Sequence, residues 1–265
     1  MDKNYLKQLA DKYEVSTFCN DDPSQFLHWY PASQIVDTEC AAFIAAMLSF
    51  GNRKQFIPKI QSILTLADKT CSTISKWLLK DTPDFPHSDK KFYRFYSYND
   101  MHALFSDLKT ILQKSGSLGE YMRGRALPLA SDCDQSYATP SSGDTPQRPD
   151  LSLLISQSFA NAKIVPKGKT CANKRIHMFL RWMVRQNSPV DLGIWKWYPQ
   201  SKLLIPLDVH VMKEGIRLGL LPPNATANKK TAILLTKKME EFFPGDPSRA
   251  DYALFGLGVT PSSEQ

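Results

Sequence analysis

Apolar residues recur three and four positions apart through most of this 265-residue chain, the spacing that puts them on one face of a helix. The pattern predicts helices over Leu6 to Val15, Gln55 to Leu66, Ser72 to Leu79, Asp100 to Gln113, Leu151 to Ala160, Asn228 to Phe243 and Asp251 to Gly258. The run from Thr38 to Phe50 is apolar nearly all round and rich in alanine, which predicts a central, fully buried helix ended by Gly51. Asp21-Asp22-Pro23, leading to Phe26, His28 and Trp29, reads as a loop or helical turn. The segment Lys90 to Tyr96 interleaves cations with rings; as a helix it would place Phe92, Phe95 and Tyr96 on one core face, and otherwise it would meet bases and phosphates. From Leu127 to Pro149 the periodicity stops and serines, aspartates and four prolines take over, so residues 127–149 are expected to be a flexible insertion.

The stretch from Pro166 to Leu220 carries the candidate chemistry. Its first helix, Asn173 to Arg185, puts Lys174, Arg181 and Arg185 within roughly 20° of one stripe at about 100° per residue. Ile176, Phe179, Leu180, Met183 and Val184 fall on the opposite side. One face is expected to pack while the other presents charge, either to solvent or to a polyanion. Asp208 follows Pro206 by two residues and precedes Val209, Met212, Ile216 and Leu220, which is the place of a helix N-cap. The free amides and dipole of a helix start also favour an aspartate's charged form. An amine and an ionised carboxylate suffice to break an N-glycosidic bond. The amine attacks the sugar carbon and forms a Schiff base, while the carboxylate stabilises the oxocarbenium-like sugar. Between the two helices, Val190 to Pro199 concentrates rings in an irregular segment, so Trp195 and Trp197 either sandwich an extruded base or plug the gap between lobes.

At these residues the chain resembles the helix-hairpin-helix/Gly-Pro-Asp superfamily of DNA glycosylases. Ile205-Pro206-Leu207-Asp208-Val209-His210 is similar to the superfamily's catalytic aspartate loop, Glu39 to Arg53 looks like its early helix, and Ala253 to Gly258 looks like its late one. The resemblance is nearest to the branch of the archaeal 8-oxoguanine glycosylases and to a bacterial family with the same lysine- and arginine-rich helix. The usual Leu-Pro-Gly-Val-Gly hairpin is absent, Pro166-Lys167-Gly168-Lys169 standing in its place, so Lys174 and Lys169 are both open as the nucleophile. The resemblance implies an all-α fold, one glycosylase-like domain over 1–265 made of two helical lobes with a central cleft, and excision of an oxidised purine, 8-oxoguanine included, with associated lyase activity. Lys174 is then the nucleophile and Asp208 the charge stabiliser. Lys167, Lys169, Arg175, Arg181 and Arg185 hold phosphates, and Asn52 and Arg53 stand where the superfamily supports the flipped-out nucleotide, unless they form only a solvated loop.

Composition narrows the partner. A net charge of +7 suits double-stranded DNA containing a damaged base. The five cysteines are scattered without ligand-like spacing, so no metal, iron–sulfur cluster or other cofactor is expected. No secretion signal or membrane-length apolar run is seen, which predicts a cytoplasmic, nucleoid-associated monomer. A non-catalytic DNA-binding module of the same fold is the alternative from another class, and hydrolysis of free nucleosides is a third.

Overall fold

The computed structural model describes residues 3–127 and 150–259. They are mostly helical, with α1 Lys3–Tyr13, α2 Ile35–Leu48, α3 Arg53–Cys71, α4 Ile74–Leu79, α5 Tyr98–Ser115, α6 Leu118–Ala126, α7 Leu151–Ser158, α8 Lys174–Val184, α9 Val209–Arg217, α10 Lys229–Met239 and α11 Ala250–Val259. Two antiparallel strands, β1 Lys91–Tyr93 and β2 Tyr96–Ser97, form a small hairpin before α5. The expected insertion, from residue 128 on, falls outside the described residues, as do residues 260–265. Among the described residues, no helix is long and apolar enough to cross a membrane.

Polar side chains at the predicted kinds of position start these helices. Asp150, Asn228, Thr73 and Asp208 each accept a backbone N–H of the first turn, and Ser97 with Asp100 makes a reciprocal capping box that launches α5. That box marks where the aromatic segment ends: residues 91–97 are a hairpin, not a helix, and the helix begins only at Tyr98, after its Ser97 cap. Phe92 is buried as expected, whereas Phe95 is exposed. Gly51, at φ +83°, is not the stop of α2, which ends three residues earlier with Ser49 as its cap.

Apolar side chains sort into two large clusters. The first surrounds α2, whose residues Asp37 to Leu48 are all buried. There Phe43 stacks on Phe159 at 4.3 Å and meets the edge of Phe179 of α8 at 5.0 Å. The second gathers α1, α9, α10 and α11 around Leu6, Ile205, Leu207, Val211, Leu235 and Leu254. Helix α8 buries its apolar side in the first cluster, and its N-terminus comes up against the start of α9 in the second.

Candidate active site

The loop before α8 is wound tightly. Asn173 takes the left-handed conformation at φ +46° and its side-chain amide donates to the Gly168 carbonyl at 3.0 Å. A Cβ at Gly168 would strike the Cys171 side chain, so any larger residue at that bend would have to displace it. The result sets Lys174 at the first position of α8. Across from it, the Ile205 amide donates to the Thr236 hydroxyl at 3.0 Å and Leu207 is buried, which fixes the strand-like approach to α9. Asp208 then caps α9: its Oδ1 accepts the Val211 N–H at 2.9 Å, while Oδ2 lies 3.0 Å from Lys174 Nζ. The pair is part-covered, with side chains 31% and 19% exposed. Burial pushes the Asp208 carboxyl up, but the Lys174 ammonium and the Val211 amide together hold it below its ordinary value.

Around this pair opens a cleft of about 600 Å³, within the range of small-ligand sites. Phe18, Phe50, Phe56, Tyr252 and Phe255 supply its rings. Phe255 sits between cations, with Lys174 Nζ 5.7 Å and the Arg53 guanidinium 5.2 Å from its centroid. Asp251, one helical turn before Phe255, also lines the cleft. Burial raises its carboxyl to about 6, although Arg181 binds it and Lys174 favours its charge; Asp208 and Asp191 act in the same direction as burial. Phe255 falls in the run that resembles the superfamily's late helix, but no local spacing ties it or Asp251 to Lys174, because α11 reaches the cleft through its packing on the distant α1 and α9.

The cationic stripe of α8 is corrected by the structure. Arg181 and Arg185 are 3% and 2% exposed and turn inward to carboxylates, not outward to phosphates. Arg181 binds Asp191 at 3.2 Å and Asp251; Arg185 binds Asp246 at 2.8 Å, Asp191 at 3.0 Å and Glu14. Tyr252 completes the network by donating to Asp191 at 2.9 Å. Arg175 is likewise engaged, donating to the Met47 carbonyl near the end of α2 with its guanidinium 4.9 Å over Phe50, and burial lowers its pKa. Lys167 donates to the carbonyls of Ser156, at 3.2 Å, and Phe159 at the end of α7.

Trp195 is also corrected from base pocket to core. It is 2% exposed and its indole N–H donates to the buried Glu39 carboxyl at 2.7 Å, which the Gly119 amide also reaches at 3.0 Å. Trp197 stacks on it at 5.6 Å, and neither ring lines the cleft. Asn52 caps α3 by accepting the Lys54 amide at 2.9 Å, so its side chain is spoken for locally. Arg53 pairs with Asp22 at 3.2 Å and does line the cleft. Lys169 is exposed and does not line it, so of the two lysines only Lys174 faces Asp208.

Residues 22–260, a span that includes every cleft residue but Phe18, match the model of a family described as a protein of unknown function (DUF2400). The chain belongs to the DUF2400 family. No curated protein matches it, and no solved structure does. For this DUF2400 protein the cleft itself therefore carries the functional reading. It joins one amine, one low-pKa carboxylate and one raised carboxylate among aromatic rings.

Proposed function

We propose that the chain is a DNA glycosylase with associated lyase activity, Lys174 being the nucleophile and Asp208 the charge stabiliser. The observation that carries the reading is the 3.0 Å approach of Lys174 Nζ to Asp208 Oδ2 inside a ring-lined cleft with room for one extruded nucleotide. Extrusion costs a few kcal/mol of unstacking, which the rings of the cleft offset by taking up the base. In the reaction, Lys174 gives up a proton, which passes to the departing base, and its freed amine lone pair forms a bond to C1′ of the deoxyribose. The glycosidic C–N bond breaks, and the base leaves with the bonding electrons and takes up that proton. Asp208 remains ionised and balances the positive charge that develops on the sugar. Ring opening then gives the Schiff base, from which loss of a proton at C2′ expels the 3′-phosphate. Asp251, which lines the same cleft bound to Arg181 and whose carboxyl burial pushes up, is the candidate proton carrier in this reading. An oxidised purine, 8-oxoguanine first, is the lesion class to try, on the strength of the resemblance of the Asp208 loop.

The test is borohydride trapping on duplexes that each carry a single lesion or an abasic site. The reading expects a covalent adduct with the unaltered chain, loss of that adduct in Lys174→Gln, and its persistence in Lys169→Gln. Binding without cleavage or trapping on any duplex of the panel would instead leave a non-catalytic DNA-binding protein.

A further inference from the structure

Phe95 is the most exposed large apolar side chain among the described residues, at 60%. Leaving a phenylalanine in water forgoes about 1.5–3 kcal/mol of burial, so its position calls for a cause. Tyr93 pairs with Tyr96 across the hairpin, which makes Arg94 and Phe95 alone the turn, and Arg94 takes the left-handed conformation at φ +50°. The hairpin does not hang free. The Tyr93 hydroxyl donates to the Phe50 carbonyl, Lys91 Nζ donates to the Phe95 carbonyl at 2.9 Å, and the Arg94 guanidinium lies against Gly51, where any Cβ would collide with it. The Phe95 ring is nearly parallel to that of Phe50, at 5.6 Å and 25°, and Phe50 and Gly51 line the cleft. Two exposed cations stand beside it: Lys91, through its bond to the Phe95 carbonyl, and Arg94, whose guanidinium is 5.9 Å from the ring centroid.

We infer that the Arg94-Phe95 turn is a stacking platform for a base of the opened DNA, the one left without its neighbour when a nucleotide enters the cleft. A flat ring offers its face to any base, and the cations beside it hold the flanking phosphates. The pinned turn continues the aromatic wall of the cleft through Phe50 out to the rim, so a strand leaving the cleft meets Phe95 next. This inference rests on the glycosylase reading, and its test separates the two.

The probe is a duplex with a single tetrahydrofuran abasic-site analogue, with binding followed by anisotropy for the full chain and for Phe95→Ala and Phe95→Trp, alongside trapping on a natural abasic site. Phe95→Ala is expected to weaken binding by about 5- to 50-fold and Phe95→Trp to restore it, because stacking tolerates any large ring. The slope of affinity against salt should stay unchanged in both, since no phosphate contact is removed. An unaltered chain that binds and is trapped while Phe95→Ala binds within about twofold of it overturns the platform and leaves the glycosylase reading intact. Failure of the unaltered chain to bind or be trapped overturns both.

Discussion

Asp208 holds one oxygen on the Val211 amide and the other on the Lys174 ammonium, so its capping and its proposed chemistry can be separated by a single substitution. Asparagine caps a helix about as well as aspartate but carries no charge. Asp208→Asn is therefore expected to keep the folding free energy at neutral pH within about 1 kcal/mol, read by urea denaturation. Base release in single turnover should slow by on the order of 10²-fold or more, because the developing sugar cation loses its counter-charge. The acid limb of stability gives an independent check. A carboxyl held below its ordinary value of 3.8 contributes stability that is complete above that value and is lost as pH falls through the depressed one. Asp208→Asn should lack that part of the acid-side loss. Base release at the unaltered rate would mean that the carboxylate only caps.

Helix α8 shows how far a period reaches and where it stops. The spacing of Ile176, Phe179, Leu180, Met183 and Val184 reveals an amphipathic helix, and its buried face in the structure is the expected one. What the opposite stripe faces is set by residues far along the chain: Glu14 lies 171 positions from Arg185, and Asp251 lies 70 from Arg181. A local pattern carries no information about such partners, so cations that close an internal network look the same as cations in water. Trp195 was illegible for the same reason, its partner Glu39 being 156 positions away. Asp208, by contrast, was readable because capping is local, with proline, aspartate and the first turn all within a few residues. The network yields its own expectation. Removing one partner from a buried ion cluster strands charge, so Arg185→Ala should cost about 3–5 kcal/mol, seen as a lower urea midpoint. Arg185→Lys should recover little of it, because one ammonium cannot match the fork that reaches Asp246 through Nε and both Glu14 and Asp191 through Nη1. An Arg185→Ala chain with an unchanged midpoint and weakened DNA binding would put this guanidinium back on the surface.

For the whole molecule, the charge that matters is the charge left outside. The formal +7 counts Arg181 and Arg185 together with the Glu14, Asp191, Asp246 and Asp251 carboxylates they face, so the network withdraws these two cations from phosphate contact without lowering the net positive charge outside, and Arg175 is spent on Met47 and Phe50. Of the exposed or part-exposed cations, Arg53 lines the cleft with Lys54 next to it in the chain, Arg94 lies against Gly51 of the cleft wall, Lys91 reaches the Phe95 carbonyl, and Lys169 is on the exposed loop ahead of α8. Each phosphate neutralised adds about −0.9 to the slope of log affinity against log salt, so three to five such contacts predict a slope of roughly −3 to −5. Measured by anisotropy over a sodium chloride series, the slope should lessen by about one in Arg94→Gln and by about one in Lys54→Gln. The same measurement on Arg175→Gln should leave it unchanged, because that guanidinium contacts carbonyl and ring rather than phosphate. A much steeper slope, with Arg175→Gln reducing it, would require α8 to turn its cationic side outward on binding DNA. Such a turn would break the Asp191 and Asp251 contacts described above, and the bound chain would then lose the protection of α8 amides against hydrogen exchange.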